Sequence, residues 1–154
     1  MSREPDADHR WLLEAIDLSR KCPPTDTAYN VGAVIVAADG RWLSDGYSRE
    51  NDPYVHAEEA ALAKIIKPVD LATATMYSSL EPCTTRKSRP GTCTQLIIDV
   101  GIRRVVFALR EPPLLADCHG VELLQEAGVD VIEFTDLSQL VRDINRNLLV
   151  PRTR

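Results

Sequence analysis

Four side chains of the types that bind zinc or carry protons occur in the middle of the chain: His56, Glu58, Cys83 and Cys93. Zinc prefers imidazole nitrogen and thiolate sulfur as protein ligands. A catalytic zinc site uses three protein ligands and keeps a fourth position for water, and one histidine with two cysteines supplies that number. The residue types and their order therefore predict a catalytic zinc site formed by His56, Cys83 and Cys93.

Glu58 fits the role that accompanies such a site. It lies two residues after His56, in the first turn of a predicted helix. Zinc lowers the pKa of bound water from about 15.7 to roughly 7, and a nearby carboxylate can accept the released proton. Glu58 is thus predicted to be the catalytic proton carrier. The ordinary alternative is a glutamate that interacts with the helix dipole, preceded by a histidine on the polar surface.

The pattern of apolar residues predicts the elements that position these side chains. Apolar spacing and turn residues predict the order helix, hairpin, helix, strand, helix, strand, helix, strand, helix. The corresponding segments are 8–21, 31–47, 52–66, 74–80, 94–101, 103–109, 120–128, 129–134 and 136–149. Helices alternating with strands favour parallel pairing through right-handed crossovers. We therefore expect an α/β fold, a three-layer α/β/α sandwich with a mixed five-stranded sheet.

Composition limits the classes of function. The chain has 154 residues and a net charge of −5, which predicts a single domain over 1–154. Binding to a nucleic-acid backbone usually needs a basic face, so the acidic balance makes nucleic acid an unlikely partner and favours a small-molecule substrate. No apolar run reaches the ~18 residues of a membrane span, and the polar N-terminus does not resemble a signal peptide. These features predict no membrane partner and a cytoplasmic location.

Four cysteines occur in the chain: Cys22, Cys83, Cys93 and Cys118. In a reducing compartment such residues are more often ligands, catalytic groups or buried thiols than disulfides. Cys22 and Cys118 are expected to be small buried thiols. If either one were a fourth ligand, the site would be closed to water and the chain would be a structural zinc module.

The motifs "HAE" at 56–58 and "EPC" at 81–83, followed by Cys93, resemble the H-x-E and P-C signature of the zinc-dependent cytidine/deoxycytidylate deaminase superfamily. The resemblance covers about 31–134. It implies a cytidine deaminase-like fold, zinc as the cofactor and a homodimer. It also implies the same ligand set, with Glu58 as the proton shuttle.

The spacing of the two cysteines departs from the common pattern. Nine residues, "TTRKSRPGT", separate Cys83 from Cys93 where two are usual. A long gap is similar to that of the riboflavin-pathway pyrimidine deaminases, which often carry a reductase domain downstream; this chain is expected to end too early for one. The gap contains Arg86, Lys87 and Arg89, interpreted either as a solvated loop or as a clamp on a substrate phosphate.

Substrate contacts are predicted around the zinc site. Several families of this group place an asparagine three residues before "VG"; that position is Ala28 here, and Asn30 is the nearest asparagine. The segment "SRENDPYV" before the histidine is expected to line the pocket mouth. His119 follows a predicted parallel strand, where a loop either borders the pocket or lies on the surface. The predicted substrate-binding residues are Asn30, Asn51, Ala57, Glu81, Pro82 and His119.

These features together predict a zinc-dependent hydrolytic deaminase of an aminated pyrimidine or related nucleobase compound. Zinc-activated water would attack the ring carbon that bears the amino group, Glu58 would move the protons, and ammonia would leave. The riboflavin-pathway diaminopyrimidine intermediate is the first candidate substrate, with cytosine, dCMP or guanine-type compounds as alternatives. The acidic balance disfavours a tRNA adenosine editor. A structural zinc module and a non-catalytic subunit are the alternatives from other classes.

Overall fold

A mixed five-stranded sheet lies between two layers of helices in the computed structural model, which describes residues 5–83, 92–112 and 118–149. The helices are α1 (Pro5–Ser19), α2 (Ala57–Ala63), α3 (Cys93–Val100), α4 (Gly120–Glu126), α5 (Ser138–Ile144) and α6 (Arg146–Leu149). The strands are β1 (Gly32–Val36), β2 (Trp42–Tyr47), β3 (Thr75–Leu80), β4 (Arg104–Leu109) and β5 (Asp130–Glu133). Among these residues, no helix is both long enough and apolar enough to cross a membrane.

The sheet has the strand order β2-β1-β3-β4-β5. The first three strands in this order pair antiparallel, because β1 and β2 form the predicted hairpin and β1 also runs antiparallel to β3. The pairs β3–β4 and β4–β5 are parallel, and each is joined through a helix. The prediction of a mixed sheet with an antiparallel first half and a parallel second half is confirmed.

Two apolar clusters occupy the two faces of the sheet. Helices α1 and α5 cover one face, and α2, α3 and α4 cover the other. Strands buried on both faces carry continuous apolar runs, which explains why β1 and β4 lack simple alternation. The three-layer α/β/α architecture is therefore confirmed, and the second face carries the predicted zinc ligands.

Gly46 sets the distance between α2 and the sheet. A Cβ atom on this glycine of β2 would lie 2.6 Å from the carbonyl oxygen of Ala57 and 2.6 Å from the backbone nitrogen of Ala61. Only glycine permits such a close approach of helix and strand backbones. The first turn of α2, where His56 and Glu58 meet the core, is therefore held directly against the strand.

The prediction of one continuous C-terminal helix over 136–149 is wrong. A 3₁₀ turn (Thr135–Leu137) precedes α5, and Asn145 separates α5 from α6. The Asn145 side chain is fully buried; its Oδ1 accepts the Asn30 N–H at 2.7 Å, and its Nδ2 donates to the Val141 carbonyl at 3.0 Å. The helix is interrupted where this amide ties the C-terminal segment to Asn30, two residues before β1.

Candidate active site

The three predicted zinc ligands converge. His56 Nδ1 lies 3.5 Å from Cys83 Sγ and 3.3 Å from Cys93 Sγ, and all three ligand atoms lie within 4.8 Å of one another. In tetrahedral coordination with metal–ligand bonds of roughly 2.0–2.3 Å, neighbouring nitrogen and sulfur ligands stand about 3.6 Å apart. The donor set and its spacing therefore fit a zinc ion with three protein ligands.

The loop-to-helix junction at α2 orients His56. The residue precedes the helix in an extended conformation, with φ −91° and ψ 159°. Its backbone N–H donates to Glu59 Oε1 at 3.0 Å, and its carbonyl accepts the Ala60 N–H. Glu59 is partly buried, because its carboxylate completes the start of the helix that presents His56.

Cys83 and Cys93 are held together by hydrogen bonds at the start of α3. The backbone N–H of Cys93 points at Cys83 Sγ, at 3.3 Å. Thr94 adds two bonds, from its N–H to the Cys83 carbonyl and from its Oγ1 to the Pro82 carbonyl, both at 3.1 Å. Sequence reasoning missed Thr94, because a threonine at the second position of a helix carries no signal for such a contact.

The Cys83 and Cys93 thiols differ in pKa. Between the protein groups alone, a hydrogen bond from Cys93 and one from His56 lower the pKa of Cys83 to about 4, although burial opposes this. The pKa of Cys93 is raised, because it is the donor to Cys83 and is fully buried beside Glu58. Cysteine ligates metal as the thiolate, so metal binding at this pair releases a proton.

The Glu58 side chain lies next to the ligand group and is 3 % exposed. Burial raises the pKa of its carboxyl group, against the opposing effects of a hydrogen bond from Cys93 and the charge of His56. Ser78 Oγ donates to Glu58 Oε1 at 2.9 Å. A raised pKa brings a carboxylate closer to the range in which it both accepts and returns protons near neutral pH.

Glu81 and Pro82, both predicted substrate contacts, are buried and bonded within the protein. The two oxygens of Glu81 accept the backbone N–H groups of Glu111 and Val121, each at 3.0 Å. The Pro82 carbonyl accepts from the Cys118 thiol at 3.3 Å. Glu81 thus ties the end of β3 to the segment after β4 and to the start of α4.

Gly120, the first residue of α4, completes this junction. A Cβ atom here would lie 2.3 Å from the Pro82 carbonyl oxygen and 3.2 Å from Glu81 Cγ. The start of α4 can therefore approach the Pro82–Cys83 turn only because residue 120 has no side chain.

The other predicted substrate-binding residues are dispersed. Ala57 is fully buried between His56 and Glu58. Asn51 is exposed in the loop before α2, and His119 is exposed at the start of α4. The Asn30 amide accepts from Arg49 and donates to the carbonyl of Ile144 at 3.5 Å.

Substrate contact by these six residues stays a prediction. The structure brings together the ligands and Glu58, whereas the amide of Asn30 and the carboxylate of Glu81 already serve other parts of the chain. Arg86, Lys87 and Arg89, the hypothetical phosphate clamp, lie outside the described residues.

The two remaining cysteines are free, and neither belongs to the metal-ligand group found among the described residues. Cys22 Sγ points at the Val31 carbonyl, at 3.5 Å, and Cys118 Sγ at the Pro82 carbonyl. Both side chains are partly rather than fully buried. This placement does not support a four-ligand structural zinc site.

Sequence reasoning also missed Glu111. Its carboxyl group lies near the thiols, and burial raises its pKa to about 7, with smaller contributions from the negative charges of Cys83, Glu81 and Glu58. A hydrogen bond from Cys118 acts in the opposite direction. Glu111 lies two residues after the end of β4, and nothing in the local sequence indicates that its side chain is buried.

The fold and this ligand set define a class of protein. The family described as "Cytidine and deoxycytidylate deaminase zinc-binding region" matches residues 5–109, and the chain belongs to this family. Membership confirms the predicted cytidine deaminase-like resemblance.

Relatives from the riboflavin pathway are similar to this chain. It is 45% identical over 126 residues to the "Diaminohydroxyphosphoribosylamino-pyrimidine deaminase" of Schizosaccharomyces pombe, covering 80% of the chain and 31% of the relative. It is 38% identical over 133 residues to "Riboflavin biosynthesis protein RibD" of Aquifex aeolicus, covering 85% and 35%. The chain therefore spans about a third of the length of these curated relatives.

Solved structures show the same fold. The Aspergillus oryzae Rib2 deaminase in complex with DARIPP matches with a TM-score of 0.79 and 26% identity, covering 90% of this chain and 89% of that one. A diaminohydroxyphosphoribosylaminopyrimidine deaminase/reductase from Thermotoga maritima matches with a TM-score of 0.83 and 32% identity, covering 94% and 40%. The predicted fold class is thus confirmed by riboflavin-type deaminase domains.

Proposed function

We propose that this chain is a zinc-dependent hydrolytic deaminase of an aminated pyrimidine, and that its substrate is the phosphoribosylated diaminopyrimidine named in its relatives. The observation that carries the proposal is the convergence of His56, Cys83 and Cys93 around a position flanked by the buried Glu58. Three ligands leave one coordination position, as catalytic zinc requires. The names of the relatives support the substrate class.

His56, Cys83 and Cys93 would hold the ion. When bound, zinc supplies the Lewis acidity that brings the pKa of a water molecule down to about 7. Glu58 would accept a proton as water adds to the ring carbon of the substrate, and would donate a proton to the amino nitrogen that leaves as ammonia. Because Glu58 is buried beside the ligands, bulk water does not reach its carboxylate. A proton held there would therefore stay available to the substrate.

Competing substrates are cytosine, dCMP and guanine-type compounds. A dCMP deaminase from the cyanophage S-TIM5 matches with a TM-score of 0.66 and 21% identity, which reflects a common fold alone. We favour the riboflavin-pathway compound, because a relative with 45% identity is named as the deaminase of that compound.

An ammonia-release screen tests the proposal. The zinc-loaded protein is incubated with nucleobases, nucleosides, nucleotides and diaminohydroxyphosphoribosylaminopyrimidine. We expect release from the last compound and none after dialysis against a chelator. Release from dCMP alone would reassign the substrate, and a zinc-loaded protein inactive on every compound would contradict the enzymatic proposal.

A Cys118→Ser variant separates the enzyme from a structural zinc module. We expect zinc content and activity to be retained, because Cys118 points at a carbonyl rather than at the ligand group. Loss of zinc from this variant would favour the structural alternative.

We further propose a homodimer and a cytoplasmic location. The free cysteines are compatible with a reducing compartment. Light scattering on the purified protein measures the mass of the assembly, and a monomeric mass would contradict the dimer.

A further inference from the structure

Two adjacent serines of β3, Ser78 and Ser79, are both fully buried, and they face opposite sides of the sheet. Ser79 Oγ accepts the Gly32 N–H at 3.1 Å on the side covered by α1. Ser78 faces α2, and its hydroxyl lies 2.9 Å from Glu58 Oε1 and 2.8 Å from the Leu80 carbonyl oxygen.

The position of Ser78 would ordinarily suit an apolar side chain. Its antiparallel partner in the sheet is Ala33, and the neighbouring Met76 on the same face belongs to the apolar cluster. Burying a hydroxyl costs free energy unless it is hydrogen-bonded. Glu58 Oε1 and the Leu80 carbonyl supply such bonds on a face of the sheet that is lined mainly by apolar residues.

The Ser78 hydroxyl lies between a backbone oxygen and a carboxylate oxygen. A serine hydroxyl has one donor and two acceptor lone pairs, so it can share its hydrogen between the Leu80 carbonyl and Glu58 Oε1. The Leu80 carbonyl belongs to the same strand and fixes the direction of the hydroxyl. Ser78 therefore holds one oxygen of the Glu58 carboxylate at a fixed point of the sheet.

We propose that Ser78 is a positioning residue, which holds the Glu58 carboxylate in one orientation throughout turnover. The inference rests on the proposed deaminase function and extends it to a residue outside the ligand and proton-carrier motifs. Anchoring Oε1 limits rotation of the carboxylate, so its direction relative to Cys93 and the metal position is retained between proton transfers.

The test compares Ser78→Ala with the matched control Ser79→Ala. Loss of one hydrogen bond to a charged group predicts a fall in kcat of roughly 10-fold for Ser78→Ala, with KM and zinc content unchanged. Ser79→Ala removes an equally buried hydroxyl from the same strand, so kcat is expected to stay within about 2-fold of the parent value. An unchanged kcat in Ser78→Ala, or an equal loss in both variants, would overturn the proposal.

Two further substitutions at Ser78 distinguish the effect of side-chain shape from the effect of hydrogen bonding. Ser78→Thr retains the hydroxyl and should restore most of kcat, whereas Ser78→Val resembles threonine in shape but has no donor and should not. If these larger side chains prevent folding, Ser78→Cys is close to serine in size and a weak donor, so an intermediate kcat is expected. Full activity in Ser78→Val would also refute the role.

A crystallographic readout is independent of turnover. In the zinc-loaded parent and in Ser79→Ala, the Glu58 carboxylate should have one orientation; in Ser78→Ala it should rotate or occupy several. An unchanged single orientation would overturn the proposal. A zinc-loaded parent that releases no ammonia would instead contradict the deaminase function, and the orientation of Glu58 would still test the contact with Ser78.

Discussion

Two buried carboxylates on opposite faces of β3 have different surroundings. Asp8 and Glu58 are each 3 % exposed. Asp8 accepts two hydrogen bonds from the Arg104 guanidinium, at 2.8 and 2.5 Å, and one from the Tyr77 hydroxyl at 2.6 Å. Glu58 accepts a hydrogen bond from the neutral hydroxyl of Ser78, which directly follows Tyr77 in β3.

Asp8 is bonded to a cation, whereas Glu58 lies beside the candidate metal ligands. The hydrogen bonds that the Arg104 guanidinium donates to Asp8 raise the pKa of Arg104, as expected for a charge-assisted pair. For Glu58, burial is the largest influence and raises the pKa of the carboxyl group. Two equally buried carboxylates therefore differ in what surrounds them: Asp8 faces a cation, whereas burial is the dominant influence on Glu58.

Removing the carboxylate of Glu58 should have the largest effect on activity. Glu58→Gln keeps the shape but cannot carry a proton, so ammonia release should fall by about 10²–10⁴-fold. Zinc content, measured by atomic absorption, should be unchanged, because Glu58 is outside the ligand group. Full ammonia release by this variant would refute the assigned role.

Breaking the Asp8 pair should lower stability instead. Arg104→Met leaves a buried carboxylate without its cation, which predicts a loss of about 3 kcal/mol in the free energy of unfolding. Urea denaturation measures this loss, and activity per folded molecule should be retained. The control is Arg110→Met, which removes exposed ion pairs and should cost less than about 1 kcal/mol. Equal losses would show that burial of the Asp8 pair is unimportant.

Removing a hydrogen bond from the Pro82–Cys83 turn should weaken zinc binding. Thr94→Val removes the hydroxyl that bonds the Pro82 carbonyl, so zinc affinity should fall by about 10-fold, as for other groups that orient ligands. Competition with a chromophoric chelator measures the affinity. Thr92→Val is the matched control, since it removes the cap of the same helix without touching Pro82. The same affinity loss in both would assign the effect to helix fraying.

Glu111 should give the smallest effect, seen as a dependence of stability on pH. Because the folded pKa of about 7 is above the ordinary value of 4.5, the native state binds the proton more tightly than the unfolded state does. Stability therefore decreases as pH rises from about 4.5 through 7. Glu111→Gln should be more stable than the parent at pH 8 by about 1 kcal/mol, after discounting for partial exposure, and not at pH 5.

Urea denaturation at both pH values measures this difference, with Glu126→Gln on the exposed face of α4 as the control. A difference between Glu111→Gln and the parent that is the same at pH 5 and pH 8 would contradict the assignment of the titration to Glu111.

The amino-acid sequence alone was sufficient to predict the fold class, and it singled out the three side chains that the structure brings together as a possible metal site, with Glu58 buried beside them. Zinc accepts few ligand types, and the His56–Glu58 spacing is local, so a short pattern carries that chemistry. The order of elements followed from apolar periodicity. The mixed sheet then followed, because a tight turn can join antiparallel strands, whereas neighbouring parallel strands need a crossover such as a helix.

Only the tertiary structure decided which polar residues serve the site. Alternation along β3 puts Ser78 and Ser79 on opposite faces, but the packing of α2 determines that Ser78 meets Glu58. Asn30 is bonded to Asn145, 115 residues away, which no local pattern predicts. Hydrogen bonds between distant segments depend on how helices pack on the sheet, whereas the capacity to bind a metal depends on residue type. The sequence therefore indicated the candidate ligands, and the fold determined the contacts that support them.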